Sequence, residues 1–417
     1  MSEWTIHAIK DIALGIYDGP HATPPLSDDG PVFLGIGNVT DDGHLDLSSV
    51  RHIAEKDFGQ WTKRVTPSAG DIVFTYEATL NRYAIIPDGF HGCLGRRMAL
   101  IRPDTSKVDT RFLFYSFFGP AWRETIEANR QSGATVDRIP LIRFPNFPIA
   151  LPSLPTQRRI ASILGAYDDL IEVNRRRIAV LEEMARGLFE EWFVRFRFPG
   201  YEAVPILDTQ DGPLPEGWRH DTLANVAAIN AASLRPANAP SKIGYIDISS
   251  VSPGRIDTIN HMPFSEAPGR ARRIVNDGSI LWSNVRPNRR SFAVVLDPTP
   301  EIVASTGFTV LDARETSFAY LYHWVTTDNF VGYLVGNAQG AAYPAVTAAT
   351  FERAAILLPP EDLVKRFTDF AEPMLRLSDS LRKTNGSLAT SRDILLPRLI
   401  SGQLSVAEAE RQLEEVA

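Results

Sequence analysis

Residues 155–199 read PTQRRIASILGAYDDLIEVNRRRIAVLEEMARGLFEEWFVRFRFP, and they decide how the rest of the chain is interpreted. Apolar residues recur there at alternating steps of four and three over about five heptads, which is typical of a coiled-coil helix. Pro155 suits the first turn of a helix, and Pro199-Gly200 ends the run. At about 1.5 Å per residue the helix would be roughly 60 Å long, more than a small domain needs for its core. The stretch therefore predicts a spacer helix between two parts of the chain.

The predicted helix carries two apolar stripes, and both need a partner. One stripe comprises Leu164, Ile171, Ile178, Ala185 and Trp192, and the other comprises Ile160, Tyr167, Asn174, Leu181 and Leu188. A lone polar residue in such a seam, here Asn174, either fixes the register of the pair or occupies a solvated position. The alternative to a helix pair is a long helix packed inside an ordinary globular domain. Arginine and glutamate residues throughout the stretch exclude a membrane span.

Length, charge and cysteine content limit the possible classes of protein. The 417 residues suffice for two or three domains with their own cores. Cys93 is the only cysteine, which excludes an internal disulfide and a cysteine-based zinc site. No signal peptide and no bilayer-spanning apolar run is recognisable, so we expect an intracellular, cytoplasmic protein. The net charge of −7 argues against bulk nucleic-acid binding but leaves room for local basic patches.

The two halves of the chain resemble each other at an offset of 207 or 208 residues. Matching stretches are Gly70–Thr75 with Gly278–Ser283, Gly133-Ala134 with Gly340-Ala341, and Leu151-Pro152 with Leu358-Pro359. Carried onward, the offset predicts a second helix whose seam comprises Phe367, Met374, Leu381, Leu388 and Leu395. Pro373 should kink or restart that helix, and Gly386 should weaken it. The chain is therefore interpreted as a duplicated unit of one globular domain and one helix.

The predicted fold class is α+β, with two similar mixed α/β domains separated by two long helices that pair as an antiparallel coiled coil. The predicted segments are domain 1 at 1–152, the first helix at 153–198, a linker at 199–217, domain 2 at 218–358, the second helix at 359–404 and an acidic tail at 405–417. Within domain 1 we expect strands near 32–34, 71–74, 84–86 and 98–101 and one amphipathic helix near 111–128. Two similar domains with an approximate two-fold relation suit duplex DNA as a ligand.

Catalytic signatures are absent from the sequence, whereas basic residues are concentrated in both domains. Neither a phosphate-binding loop nor an HExxH, GxSxG or cysteine-cluster motif occurs, so we expect no catalytic residue, metal or cofactor in this chain. The candidate DNA-binding residues are Arg82, Arg96, Arg97, Arg138, Arg270, Arg272, Arg273, Asn284, Arg286, Asn288, Arg289 and Arg290. Arginine forks read guanine and phosphate, and asparagine reads adenine. Each single arginine is equally compatible with a surface salt bridge.

The chain resembles the specificity subunits of type I restriction–modification systems over essentially its whole length. The block LPSLPTQRRIASILGAYDDLIEVNRRRIAVLEEMARGLFEEWF at 151–193 is similar to the family's first spacer helix. GDIVFTYEATLNRYAIIPDGFHGCLGRRMALIRP at 70–103 and ILWSNVRPNRRSFA at 280–293 resemble its target-recognition segments, and LPEGW at 214–218 resembles the start of its second domain. Pro373 and Gly386 depart from a regular second spacer helix.

The resemblance implies two target-recognition domains, each reading one half of a split, asymmetric DNA site, with the helices setting the gap between the half-sites. It also implies assembly with two modification (methyltransferase) subunits and with restriction (translocase and nuclease) subunits. S-adenosylmethionine, ATP and magnesium would belong to those partners. An acidic chain is then compatible with DNA binding, because the partners would supply part of the phosphate contact.

Three other functions remain compatible with the sequence. One is a fused or stand-alone DNA methyltransferase or nuclease, against which the missing cofactor loop and missing Asn/Asp-Pro-Pro-aromatic motif argue. Another is the specificity half of a different multi-subunit DNA methyltransferase system. The last is a coiled-coil scaffold without a role in DNA binding.

Overall fold

The computed structural model describes residues 4–133, 135–209 and 212–414. Ala134 of the repeat match lies outside these ranges, as do the first three residues of domain 1, residues 210–211 of the predicted linker and residues 415–417 of the predicted tail. The chain divides into two compact units. Unit 1 combines Met1–Glu172 with Asn385–Ala417, and unit 2 comprises Val173–Thr384.

Unit 1 contains a mixed α/β domain and parts of two long helices. Its strands are β1 (Thr5–Ala8), β2 (Ala13–Asp18), β3 (Ser27–Leu34), β4 (Arg51–His52), β5 (Ile72–Thr75), β6 (Tyr83–Ile85), β7 (Gly92–Leu94), β8 (Met98–Pro103) and β9 (Pro148–Leu151). Its helices are α1 (Phe58–Trp61), α2 (Thr110–Ser116), α3 (Pro120–Asn129) and the beginning of α4 (Leu154–Phe189). The strands form a four-stranded antiparallel sheet in the order β2-β8-β5-β6, a three-stranded sheet β4-β3-β7 and the pair β1-β9. The four strands expected in domain 1 correspond to β3, β5, β6 and β8.

The single amphipathic helix predicted near 111–128 is in fact two helices. Asp109 caps α2 by accepting a hydrogen bond from the Phe112 backbone at 3.0 Å, and α2 ends before Gly119-Pro120. Pro120 lacks the N–H that a continuing helix requires, yet it suits the first turn of α3. Phe112 and Phe117 are fully buried against the four-stranded sheet. The apolar pattern of the sequence continues across the break between α2 and α3, which is why it predicted one helix instead of two.

Unit 2 repeats the same architecture. Its strands are β10 (Ile206–Thr209), β11 (Gly212–Pro215), β12 (Arg219–Thr222), β13 (Ala227–Ile229), β14 (Lys242–Ile246), β15 (Val251–Ser252), β16 (Arg255–Ile256), β17 (Asn260–Pro263), β18 (Ala271–Ile274), β19 (Ile280–Ser283), β20 (Phe292–Val294), β21 (Ile302–Ser305), β22 (Phe308–Ala313) and β23 (Ala355–Leu358). Its helices besides α4 are α5 (Leu223–Val226), α6 (Phe318–Val325), α7 (Asp328–Asn337), α8 (Ala348–Glu352) and most of α9 (Glu361–Ile400). Within the predicted linker at 199–217, strands β10 and β11 pair antiparallel.

The sheets of the two domains correspond strand by strand. The order β13-β22-β19-β20 in domain 2 matches β2-β8-β5-β6 in domain 1, and the antiparallel pair β12-β23 matches β1-β9. A parallel pair also recurs, as β14-β21 in domain 2 and β3-β7 in domain 1. The internal duplication and the α+β fold class predicted from the sequence are confirmed.

The second long helix, α9, is unbroken over 40 residues, so the predicted restart at Pro373 is wrong. A proline removes one backbone hydrogen bond, and Gly386 costs about 1 kcal/mol relative to alanine. Tertiary packing outweighs these local penalties, because Phe367 and Ala371 near the proline are completely buried. After α9 the chain forms the short helix α10 (Val406–Glu414), which packs on unit 1 through Val406 and Ala409. No helix in the described ranges is both long and apolar enough to cross a lipid bilayer.

Within each unit the two long helices run antiparallel. In unit 1 Asp168 of α4 bonds Arg392 of α9, and the carbonyl of Ile171 accepts a hydrogen bond from Asn385 at 3.3 Å. The residue number thus rises along α4 as it falls along α9. In unit 2 the pairs are Glu182 with Arg382 and Trp192 with Phe367, whose ring centroids lie 6.3 Å apart. The antiparallel pairing predicted from the repeat is confirmed.

The predicted seam residues are buried or half-buried in the structure. Buried are Ile160, Leu164, Ile171, Asn174, Ile178, Ala185, Trp192 and Phe367, and half-buried are Tyr167, Leu181, Leu188, Met374, Leu381, Leu388 and Leu395. The second stripe of α9 is partly polar, because it contains Ser378, Asn385 and Arg392 besides Ala371 and Leu399. The apolar heptad pattern therefore predicted both stripes of α4 but only one of the two stripes of α9.

Candidate nucleic-acid interface

Three backbone segments meet at one end of the four-stranded sheet in domain 1, and we call them loop cluster 1. They are the loop 76–82 between β5 and β6, the turn 95–97 before β8, and the hairpin closed by Gln131 and Arg138, of which residue 134 lies outside the described ranges. Tyr76 N donates to Arg97 O at 3.2 Å, and Ala78 N donates to Asp137 O at 3.0 Å. Tyr76 O accepts from Ile139 N at 2.8 Å. Backbone hydrogen bonds therefore attach the loop 76–82 both to the turn 95–97 and to the hairpin segment. These bonds do not involve side-chain atoms.

Loop cluster 2 has the same construction in domain 2, from the loop 284–291, the turn 305–307 and the hairpin 339–345. Asn284 N donates to Gly307 O at 2.9 Å, and Arg286 N donates to Pro344 O at 2.7 Å. Asn284 O accepts from Val346 N at 2.9 Å. Each of these bonds has its counterpart in loop cluster 1, at offsets of 207 to 210 residues. The two clusters are therefore one backbone framework that occurs twice.

Left-handed backbone conformations recur at the same places in both loops. Ala78 and Arg286 occupy matching positions with φ of 71° and 51°, and Asn81 and Arg290 have φ of 62° and 55°. Non-glycine residues pay roughly 1–3 kcal/mol for such conformations, which persist only where surrounding contacts enforce them. The backbone bonds to the hairpins supply that enforcement. Strain of this kind concentrates at functional sites, which singles out these loops.

The predicted arginines of domain 1 all lie in or beside loop cluster 1, but they differ in their pairing. Arg82 pairs with Asp41 at 2.5 Å, and Arg97 pairs with Glu77 at 2.9 Å. Arg96 and Arg138 are exposed and make no ion pair within the described parts of the chain. Arg96 and Arg138 are therefore the cations that this cluster offers to a ligand, while Arg82 and Arg97 also have structural roles.

Within the loop 284–291 of loop cluster 2, the exposed side chains are Asn288 and Arg289, both near the tip of the loop. Arg289 forms no ion pair among the residues that the structure describes. Arg290 is paired with Asp328, and Asn284 is half-buried, where its side-chain oxygen accepts a hydrogen bond from Thr309 at 2.7 Å. Asn284 and Arg290 thus support the loop. Arg289 and Asn288 are the side chains that point to solvent from it.

The other basic stretch of domain 2, around β18, meets loop cluster 2 at the turn 305–307. Thr306 N donates to Arg270 O at 2.8 Å, and the next residue, Gly307, accepts the hydrogen bond from Asn284 N. The Arg270 side chain pairs with Asp247 at 3.0 Å, and the charges of Tyr245 and Asp247 raise its pKa. Two stretches separated in sequence are therefore joined into one basic region.

Arg272 and Arg273 lie on β18 without an acidic partner in the described ranges. The Arg272 guanidinium lies 5.1 Å from the ring centroid of Phe264 and donates to its neighbour's carbonyl at Ala271. Arg273 is half-buried, and this burial lowers its pKa. A guanidinium removed from water without a counter-charge is costly, and an anionic ligand would relieve that cost.

Sequence reasoning named Arg138 in the hairpin 131–138 but missed the hairpin 339–345, although the repeat match at Gly133 and Gly340 marked it. It also missed Tyr343, which is 69% exposed at the tip of the hairpin 339–345. The Arg286 guanidinium stacks over the Tyr343 ring, 4.7 Å from its centroid. An exposed aromatic residue in the sequence AAYP, one repeat offset from the Arg138 hairpin, was the signal available.

The arrangement can bind an extended polyanion. Exposed arginine, asparagine and tyrosine side chains at loop tips are the groups that contact phosphates and base edges. Within the described residues, no group of three or more histidine, cysteine, aspartate or glutamate side chains is placed to hold a metal ion.

Comparison with known proteins identifies the family. Residues 1–183 match the family model of the type I restriction modification DNA specificity domain. The chain is similar to the specificity subunits of type I restriction–modification systems. The resemblance inferred from the spacer helix and the target-recognition segments is thereby confirmed. Loop cluster 1 lies wholly within the matched residues, and loop cluster 2 occupies the corresponding place in the second repeat.

Relatives in this family align with most of the chain. The MjaIX specificity subunit of Methanocaldococcus jannaschii is 23% identical over 370 residues, which cover 86% of this chain and 83% of the relative. The HindI specificity subunit of Haemophilus influenzae is 22% identical and covers 97% of this chain and all of the relative.

A solved structure shares the fold. The S subunit of a type I restriction–modification system from M. genitalium superposes with a TM-score of 0.58 at 14% sequence identity. The match covers 95% of this chain and 96% of that chain. Both repeats and both long helices therefore belong to the fold of specificity subunits.

Proposed function

We propose that this chain is the DNA sequence-recognition subunit of a type I restriction–modification complex, and that each loop cluster reads one half of a bipartite, asymmetric DNA site. The repeated backbone framework with different side chains at its tips is the observation that carries the proposal. Loop cluster 1 offers Arg96 and Arg138, whereas loop cluster 2 offers Asn288, Arg289 and Tyr343. Because the two loop clusters share one backbone arrangement, both would approach DNA in the same way. Their different side chains would then recognise different bases.

The net charge of −7 is compatible with this function if phosphate neutralisation is shared with partner subunits. The side chains at the loop tips then serve mainly for base readout, which needs few contacts and little net charge. Binding by the isolated chain should accordingly be weaker than binding by the assembled complex.

The partners proposed are two modification (methyltransferase) subunits and, for cleavage, restriction (translocase and nuclease) subunits. S-adenosylmethionine, ATP and magnesium would be bound by those partners. In this proposal the assembled enzyme transfers methyl groups to adenine and cleaves DNA, while the present chain supplies only the choice of site.

The long helices offer a surface on which modification subunits can bind. On α4 of unit 2, Val173, Val180 and Met184 are 47%, 58% and 52% exposed and recur at steps of seven and four, which places them on one face. On α9, Phe370 and Leu377 are also half-exposed, one heptad apart. Apolar stripes of this kind on paired helices are typical of docking surfaces for further helices.

Co-purification with modification subunits, followed by mapping of methylated adenines in DNA, tests the proposal. We expect methylation at a bipartite site that is lost when this chain is omitted. Replacing Val180 and Met184 by glutamate should abolish co-purification, whereas the control Glu183→Gln, on the same helix turn, should preserve it.

Methylation by the purified chain alone would favour the methyltransferase alternative. A complex whose methylation pattern is the same with and without this chain would contradict the proposal and leave a scaffold role.

A further inference from the structure

Tyr343 is an exposed aromatic residue on a rigid support. Gln339 and Ala345 exchange reciprocal backbone hydrogen bonds of 2.9 Å at the base of its hairpin, and Arg286 N holds Pro344 O at 2.7 Å. The Arg286 guanidinium covers one side of the ring at 4.7 Å and donates to Ala342 O at 3.3 Å. The tyrosine therefore sits in a framework of backbone bonds, and most of its own surface faces solvent.

The Tyr343 side chain contributes little to the stability of the folded chain. A tyrosine that is 69% exposed contributes little burial, and its hydroxyl forms no hydrogen bond within the part of the chain that the structure describes. Meanwhile Arg286 adopts a left-handed conformation that is unfavourable for an arginine. The unfavourable backbone conformation of Arg286 thus lowers the local stability, and it places the guanidinium next to the Tyr343 ring.

The matching hairpin in domain 1 differs in this respect. Its sequence, QSGATVDR at 131–138, contains no aromatic residue, and Ala78 replaces Arg286 at the matching left-handed position. The stacked pair is therefore specific to domain 2, although the backbone framework is common to both domains. A feature present in one repeat only is suited to a base that occurs in one half-site only.

We propose that Tyr343, stacked on Arg286, contacts a base in the half-site read by domain 2 and helps to determine which base is accepted there. This inference rests on the proposed function. The ring supplies apolar contact to a base or to a thymine methyl group, and the hydroxyl can donate or accept one hydrogen bond. Because the pair is already ordered without DNA, little side-chain entropy is lost on binding.

The test compares methylation by the assembled complex containing the wild-type chain, Tyr343→Ala, Tyr343→Phe or the control Tyr201→Ala. Tyr201 is 42% exposed and lies outside both loop clusters. The probe is a library of duplexes in which each base pair of the mapped site is varied in turn. Relative methylation rates within one library report specificity and are insensitive to the fraction of active complex.

For Tyr343→Ala we expect roughly tenfold weaker discrimination at one base pair of the second half-site, the magnitude of a good base contact. The first half-site should be read as in the wild type. Tyr343→Phe separates the two contributions of the side chain, since it retains the ring and loses the hydroxyl. Discrimination in this variant should lie between those of the wild type and the alanine variant, and Tyr201→Ala should match the wild type.

Unchanged discrimination in both Tyr343 variants, with a wild-type complex that reads a bipartite site, would overturn this inference and leave the proposed function intact. Equal weakening at both half-sites would also overturn it, because it would indicate a general loss of binding. A wild-type complex without any sequence preference would refute the proposed function itself.

Discussion

The guanidinium of Arg392 on α9 donates a hydrogen bond to the carboxylate of Asp168 on α4. Their side chains are only 11% and 19% exposed, and Tyr115 of domain 1 donates to the same carboxylate at 2.5 Å. Burial raises the pKa of Tyr115, and the charge of Asp168 raises it further. Burial alone would lower the pKa of Arg392, but bonding to Asp168 leaves it raised. This network joins domain 1 to both long helices.

We predict that Arg392→Ala destabilises unit 1 by roughly 3 kcal/mol, because it leaves the Asp168 carboxylate largely buried with one of its partners removed. Arg382→Ala is the matched control on the same helix. Its partner Glu182 is 44% exposed, so that pair should contribute about 0–1 kcal/mol. Urea unfolding combined with amide exchange in residues 160–172 measures the difference. Equal effects of the two substitutions would show that the buried network has no special weight.

His323 predicts an acid sensitivity of unit 2. Its pKa is lowered to about 4, mainly by burial and to a smaller extent by the nearby Arg186, while a bond from the ring to Ala319 O opposes the shift. The folded state thus disfavours the protonated ring, whose pKa in the unfolded chain is about 6.5. This destabilising contribution is absent above about pH 6.5, grows as the pH falls and is complete near pH 4, at roughly 3 kcal/mol.

Unfolding of the wild type and of His323→Gln at pH 7, 5 and 4 measures this contribution. Glutamine cannot titrate, so the wild type should lose more stability than the variant between pH 7 and pH 4. Other groups titrate in both proteins and cancel in the difference. Parallel pH profiles would contradict the assignment to His323.

Arg286→Ala and Arg289→Ala should each weaken DNA binding by the assembled complex by ~1–3 kcal/mol if the residue contacts a base. Specificity should relax in one half-site only. Arg219→Ala is the control, since Arg219 is exposed but paired with Asp221 outside both loop clusters. Equilibrium binding at fixed salt and the methylation pattern provide the measurements. Unchanged affinity and pattern in both variants would remove these arginines from the readout.

Helix length should set the distance between the two half-sites. A four-residue insertion after Glu182 adds about 6 Å to α4, which corresponds to one to two base pairs of DNA. Because Glu182 pairs with Arg382 and the helices are antiparallel, the compensating insertion in α9 belongs directly before Arg382. The doubly inserted chain should methylate unchanged half-sites separated by a longer gap. Insertion into α4 alone is the control and should disturb the pairing. An altered half-site with an unaltered gap would place specificity in the helices.

Local patterns in the sequence determined most of the fold. The heptads of α4, the strands of domain 1 and the repeat offset all follow from periodicities that neighbouring residues express on their own. The same patterns failed where a local signal competed with tertiary packing. Pro373 predicted a kink or a restart of the second helix, but α9 is continuous, with Phe367 and Ala371 buried near the proline, so the restart is wrong. The domain boundaries and the individual DNA contacts stay predictions.

Only the tertiary structure decided which side chains are available for binding. Composition grouped Asn284, Arg289 and Arg290 together, but a hydrogen bond to Thr309 and an ion pair with Asp328 engage the first and the last, whereas Arg289 remains exposed. The loop clusters themselves arise from backbone hydrogen bonds between segments more than 20 residues apart, such as Asn284 to Gly307 and Arg286 to Pro344. Backbone groups are the same in every residue, so their pairing leaves no trace in composition or periodicity. The sequence by itself therefore determined the repeated domains and helices, while folding determined which of their polar side chains form the candidate site.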